Sequence, residues 1–217
     1  MNIRLNTTQS SSLKTIKCRC CGNEISAVNT QLDCNDLLGL LKSTNEFIHM
    51  PCRCSNCGCV TLWENLTYDE TTKDLLKSPE YTKYLYSMTY DEAFKNWVLL
   101  FNIIKHNHFT IHAIVCKIKA YDYIEQIYPD TKEKYDNLLR QAYSLCYNFA
   151  EENKDNNGLF IAIVGLNCLI RTGDFDTAAE YVDLICENFN IKNLPNVLIQ
   201  AKNVIKDKKK ESILKYI

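Results

Sequence analysis

From about residue 69 onward, apolar positions recur at the three- and four-residue spacing of amphipathic helices, separated by start and stop signals. Ser78-Pro79-Glu80 reads as an N-cap followed by proline at the first helical position. Thr89-Tyr90-Asp91-Glu92 reads as a capping box opening a helix that runs to about His106. A second long helix is predicted from Phe109 to Tyr128, stopped by Pro129, and Asp130-Thr131-Lys132-Glu133 opens the next. In that helix Leu138, Leu139, Ala142, Leu145, Cys146 and Phe149 form one apolar stripe. Asn156-Asn157-Gly158 breaks the pattern. Leu159 to Arg171 forms a further helix ended by Gly173, and Asp174 caps another through about Phe189. Asn193-Leu194-Pro195 starts a last helix, which carries Lys208, Lys209 and Lys210. Ahead of the helices, Val60-Thr61-Leu62-Trp63 has the texture of a strand. The expected fold is mainly α: a flexible N-terminus over 1–13, a small ribbon with short β-strands over 14–66, and an antiparallel helical body over 67–217.

The region before the helices holds eight of the chain's twelve cysteines, between Cys18 and Cys59. Two segments match, Cys18-Arg19-Cys20-Cys21-Gly22 and Cys54-Ser55-Asn56-Cys57-Gly58, each C-x-x-C-G. Such a turn points two thiolates at one cation, and the glycine permits a positive φ after the second cysteine. Two turns supply the closed tetrahedral thiolate set that structural Zn²⁺ prefers. One structural zinc on Cys18, Cys21, Cys54 and Cys57 is therefore expected, with the 32 residues from Gly22 to Arg53 forming strands and an inserted loop. Four thiolates leave no open position for catalysis. Cys20, Cys34, Cys52 and Cys59 are left over. They read either as small buried hydrophobes or as ligands of a second metal, with Cys20 or Cys52 able to replace a nominal ligand. Cys52-Arg53-Cys54 makes the register of the second pair ambiguous, and Gly58 favours Cys54 with Cys57. His49 either packs behind the ligands or is exposed.

Bulk properties narrow the function classes. A formal net charge of −1 and a sequence pI near 6.4 argue against a dedicated nucleic-acid binder. Residues 67–201 carry thirteen Lys/Arg against nineteen Asp/Glu, as a solvated helical surface would, whereas residues 202–217 carry six against two. That basic end reads as the exposed face or frayed end of a last helix, or else as a polyanion contact. The start has no apolar leader segment, and no apolar run approaches the roughly 18 residues of a spanning helix. A cytoplasmic location follows as the expectation, and in a reducing compartment clustered cysteines point to metal rather than disulfides. Cys116, Cys146, Cys168 and Cys186 fall in helical apolar patterns and read as core thiols. His106, His108 and His112 cluster, with the last two at i, i+4, but no third ligand or H-E-x-x-H glutamate accompanies them. Six glycines supply no phosphate-cradling loop, nucleophile elbow or dinucleotide fingerprint, so no catalytic residue is assigned. An Asn- and Lys-rich, Pro-poor composition points to an AT-rich bacterial or phage source.

The stretch Gly173-Asp174-Phe175-Asp176-Thr177-Ala178-Ala179-Glu180-Tyr181 resembles the turn and second-helix start of a tetratricopeptide repeat. In that motif a small residue ends the first helix, an aromatic fills the gap between helices, and an alanine lets them pack closely. Gly173, Phe175 and Ala178 take those places, although the usual Trp of the first helix is missing and an ordinary helical hairpin is the alternative. The two knuckles, followed by Gly165-Leu166-Asn167-Cys168-Leu169-Ile170-Arg171-Thr172-Gly173-Asp174-Phe175, resemble a bacterial family known only as a domain of unknown function. That family couples a two-knuckle CPxCG-type ribbon to TPR-like helices. Arg19 and Ser55 stand where its knuckles often have Pro. The resemblance implies an architecture and a zinc site but no activity. The expected function is that of a zinc-binding adaptor or scaffold whose helical groove takes a protein or peptide partner. One alternative is a nucleic-acid-binding ribbon using Lys14, Lys17, Arg19, Arg53 and Trp63. Another is a metal-dependent enzyme using His106, His108 and His112. Neither a membrane nor a small-molecule substrate is expected.

Overall fold

The computed structural model describes residues 13–28, 41, 51–62, 68–193 and 195–217. Two hairpins come first. β1 (Leu13–Lys17) pairs antiparallel with β2 (Glu24–Val28), from Leu13 opposite Val28 to Lys17 opposite Glu24. β3 (Cys52–Arg53) pairs with β4 (Val60–Thr61) in the register Cys52–Thr61 and Arg53–Val60. Each Cys-x-x-Cys-Gly turn is the loop of one hairpin, so strand pairing on both sides sets its geometry.

Eight α-helices follow among the described residues: α1 (Thr72–Lys77), α2 (Pro79–Leu85), α3 (Glu92–His106), α4 (Thr110–Ile127), α5 (Asp136–Glu152), α6 (Asn156–Thr172), α7 (Phe175–Asn188) and α8 (Asn196–Lys206). Single 3-10 segments occupy Pro129–Tyr135 and Leu214–Tyr216. The fold is mainly helical, as the apolar periodicity predicts. Successive long helices are antiparallel. A β-carbon on Gly158 would strike Asn153, and one on Gly165 would press on Cys146, so α6 runs back along α5.

α4 and α6 are the central helices. Ala113 to Tyr121 of α4 and Ile161 to Thr172 of α6 are buried without a break. A helix apolar all round is one surrounded by others. Several polar residues on these helices find partners, although the Asn167 Nδ2 has none among the described residues. Lys117 lays its ammonium 3.7 Å from the centre of the Phe101 ring. Arg171, 8 % exposed, reaches Asp122 at 2.7 Å and Glu125 at 2.8 Å, and its guanidinium lies 4.9 Å from the Tyr121 ring centre. Lys119 and Lys132 complete that network through Asp122 and Glu125. Asn167, fully buried, accepts from the backbone N–H of Ile213 at 2.9 Å, so the segment after α8 folds back and buries Ile213 and Leu214 against the core.

Four local expectations shift. Asp91, not Thr89, caps α3: its carboxylate accepts from the Ala93 N–H at 2.9 Å, while Glu92 turns aside to Arg53 and Lys95. Asp130-Thr131-Lys132-Glu133 lies in the 3-10 segment, and α5 opens six residues later, at Asp136. Asn156-Asn157-Gly158 is the first turn of α6 rather than a break, because Asp155 accepts from the Gly158 N–H at 2.9 Å. Lys208, Lys209 and Lys210 lie beyond α8, with Lys208 at φ 51°; Lys209 pairs with Asp207 and Lys210 with Glu133.

Candidate metal centre

The two knuckles repeat one geometry. The Cys18 N–H donates to Asn23 O at 2.7 Å and the Cys54 N–H to Cys59 O at 2.8 Å; the Gly22 and Gly58 N–H groups donate to Cys18 O and Cys54 O, both at 2.9 Å. Gly22 and Gly58 have φ 74° and 75°, the left-handed region that a β-carbon disfavours. Across the knuckles the Sγ atoms of Cys18 and Cys57 are 3.5 Å apart and those of Cys21 and Cys54 are 3.7 Å apart. A two-fold relation that exchanges Cys18 with Cys54 and Cys21 with Cys57 carries one pair into the other.

All four sulfurs lie within 4.8 Å of one another, the one such group of three or more ligating side chains among the described residues. A tetrahedron with metal–sulfur bonds of about 2.3 Å has edges of about 3.8 Å. The cross-knuckle distances of 3.5 and 3.7 Å fit that figure, so these four cysteines could hold a metal ion. Cys18 and Cys54 are buried, Cys57 is half-buried and Cys21 is exposed. The Asn56 amide donates to the Cys21 sulfur at 3.5 Å and is the main reason that this thiol is held down at about 6. Burial pushes the Cys18 and Cys57 thiols up. A bound cation would override that rise by stabilising the thiolates directly.

The second knuckle is fastened to the helices. The Tyr81 hydroxyl, on α2, donates to Gly58 O at 2.8 Å, and Leu85 packs on Gly58. Tyr68 donates to Val60 O at 3.3 Å, Arg53 pairs with Glu92 at 2.6 Å, and Asn96 donates to Pro51 O at 3.3 Å. Cys18, Ile25, Cys54, Cys59, Val60 and Leu62 belong to the same buried cluster as the helical core. Beside the knuckles opens a cleft of about 1150 Å³, lined by Arg53, Asn56, Lys73, Lys77, Leu85 and Tyr86 together with Cys20 and Cys21. Among the described residues no acidic side chain lines it. Tyr86 is 77 % exposed, and Met88, two residues on, is 99 % exposed.

Cys20 stands outside the tetrahedron, its sulfur 3.1 Å from that of Cys59. Cys52 is half-buried in β3. His49, Cys34 and Trp63 lie outside the described residues, as does the side chain of Lys14. Lys17 and Arg19 are exposed. Among the described residues the histidines form no metal-ligating group: His106 Nε2 meets Thr71 Oγ1 at 2.7 Å, His108 is exposed at φ 61° beside the same small cavity as His106, and His112 packs edge-on against Phe109. Cys116, Cys146 and Cys168 are fully buried and Cys186 is partly so. Gly173 caps α6 in the left-handed conformation at φ 79°, with the Asp174 N–H returning to Leu169 O at 3.1 Å; Ala178 is fully buried and Phe175 is half-buried. Spacing did not disclose the Cys20–Cys59 contact or the Arg171 network, since both depend on which elements meet.

No family model matches the chain, and neither curated proteins nor solved structures provide a match. Among the described residues no helix is long and apolar enough to cross a membrane.

Proposed function

We propose that this chain is a cytoplasmic adaptor in which one structural Zn²⁺, held by Cys18, Cys21, Cys54 and Cys57, fixes a binding cleft against a TPR-like helical body. Four sulfurs at tetrahedral spacing favour zinc over harder cations and leave no site for substrate water. On this reading the metal supplies folding free energy: it locks two hairpins that are too short to persist alone.

The observation that carries the binding role is the cleft beside the second knuckle. It combines Lys73 and Lys77, beside an Arg53 that is paired with Glu92, with apolar surface from Leu76, Leu85 and Tyr86, and no carboxylate is among the described residues that line it. That chemistry suits a protein segment with acidic residues flanking an apolar anchor. Tyr86, 77 % exposed, presents aromatic surface within the cleft itself. The order of knuckles and helices also keeps the likeness to the bacterial ribbon-and-helix family within this proposal.

The test is a capture experiment from lysate, with and without nuclease, comparing the unaltered chain with Lys73→Glu/Lys77→Glu. A stoichiometric protein partner that survives nuclease and is lost in the charge-reversed variant supports the proposal. Capture that collapses with nuclease points instead to nucleic acid on the same cationic wall. Capture unaffected by charge reversal removes the cleft from the account.

A further inference from the structure

The knuckles place a second pair of sulfurs beside the metal ligands. Cys20 occupies the third position of the first knuckle, between ligands Cys18 and Cys21. Cys59 follows Gly58 at the end of the second. Their Sγ atoms are 3.1 Å apart, about 1 Å longer than a disulfide of roughly 2.05 Å. At the two-fold-related positions stand Asn56 and Asn23, so the apposition of two thiols occurs on one side of the centre only. The two cysteines differ in access. Cys59 is 2 % exposed, whereas Cys20 is half-buried and lines the cleft.

We propose that Cys20 and Cys59 form a reversible dithiol–disulfide site, oxidised by small-molecule or protein disulfides and separate from the four metal ligands. The Cys20 thiolate attacks one sulfur of a disulfide RS–SR, forming a Cys20–S–SR mixed disulfide and releasing RS⁻. The Cys59 thiolate then attacks the Cys20 sulfur, forming the Cys20–Cys59 bond and releasing the second RS⁻. The two thiol protons end on the two RSH products, and the electrons lost by the protein thiols reduce the incoming disulfide. Access makes Cys20 the entry thiol and Cys59 the resolving one, since exchange requires the attacked thiol to meet its oxidant. The cross-link joins the same two loops that the metal joins, so closure leaves the tetrahedron in place while removing a thiol from the cleft lining. A disulfide of this kind in a reducing compartment is transient and responsive rather than structural.

The test treats the zinc-loaded full chain with oxidised glutathione and reads the products by tandem mass spectrometry, with metal content measured in parallel. The expected product is one disulfide joining Cys20 to Cys59, with bound metal unchanged and little glutathione retained. Cys59→Ser is expected to accumulate the mixed disulfide on Cys20, and Cys20→Ser to lose the cross-link and leave Cys59 unreacted. Because Cys59 is buried and its replacement can disturb folding, the half-buried Cys20→Ser variant decides the matter alone. A wild-type product in which glutathione stays on Cys20, or disulfides through Cys18, Cys21, Cys54 or Cys57 with loss of metal, overturns the proposal. So does unchanged oxidation of Cys59 in Cys20→Ser.

Discussion

Replacing each knuckle glycine by alanine separates the backbone requirement of the metal centre from its docking on the helices. Gly22 and Gly58 share a left-handed conformation, at φ 74° and 75°. A β-carbon on Gly22 would meet nothing within 4 Å, whereas one on Gly58 would lie 2.9 Å from Leu85 Cδ2. Gly22→Ala therefore carries the left-handed cost alone, roughly 1–2 kcal/mol. If the ribbon orders only with its metal, that cost appears in affinity, as zinc binding weaker by roughly 5- to 30-fold. Gly58→Ala carries the same cost plus displacement of Leu85, about 1–3 kcal/mol more if the side chain cannot move aside. The extra term should lower the melting temperature of the helices, because Leu85 belongs to α2. Chelator competition reads the first effect, and thermal unfolding followed by circular dichroism reads the second. Unchanged zinc affinity in Gly22→Ala would refute the backbone argument. Equal melting temperatures for the two variants would refute the docking of the second knuckle on α2.

Three further perturbations test other parts of the account. Tyr81→Phe removes the donor to Gly58 O from a fully buried residue and should cost about 1–2 kcal/mol, read as a lower melting temperature and faster metal loss to a chelator. Arg171→Met leaves Asp122 and Glu125 without their buried partner and should destabilise by about 3 kcal/mol in denaturant titration. Burial alone would raise the Glu125 carboxyl, but Arg171 and Lys132 hold it below its ordinary range, so its contribution is present at neutral pH and lost as pH falls. The same variant should accordingly flatten the acid limb of stability against pH. Burial lowers the Lys117 ammonium from its ordinary 10.5 to about 8, so the folded state binds fewer protons than the unfolded between those values and stability rises with pH there. Lys117→Met should stabilise by on the order of 1–2 kcal/mol at pH 7, net of the lost ring contact, with the gain shrinking as pH rises from about 8 and lost by about 10.5. A gain that persists at high pH would contradict that assignment.

The four-cysteine cluster that could hold a metal was legible in the sequence because ligation imposes spacing. Two thiolates per turn and a glycine behind each pair leave few alternatives, and Cys18, Cys21, Cys54 and Cys57 come together as the pattern predicts. The helix order was legible for a similar reason, since α3, α4, α7 and α8 begin or end within a few residues of their signals. The misplacements have local causes. Thr89 and Asp91 are both acceptable caps, and Asp91 prevails because the Tyr123 hydroxyl also donates to it, at 2.7 Å. Asn156-Asn157-Gly158 looks like a breaker, yet glycine stands there because the carbonyl of Asn153 occupies the place of a β-carbon. The lysines after α8 face Glu133 and Asp207, partners that no pattern along α8 reveals. The Cys20–Cys59 contact was beyond reach for a different reason. It depends on how one knuckle is turned against the other, and linear spacing does not encode that rotation.

One metal joining two knuckles is the central claim, and metal content tests it most directly. Elemental analysis of the purified chain, with Co²⁺ substituted to read ligand type from its absorption spectrum, should give one zinc per chain and a tetrahedral tetrathiolate signature. Both should vanish in Cys54→Ser/Cys57→Ser and persist in Cys20→Ser. Metal retained by the double variant, or absent from the unaltered chain, would contradict the central claim.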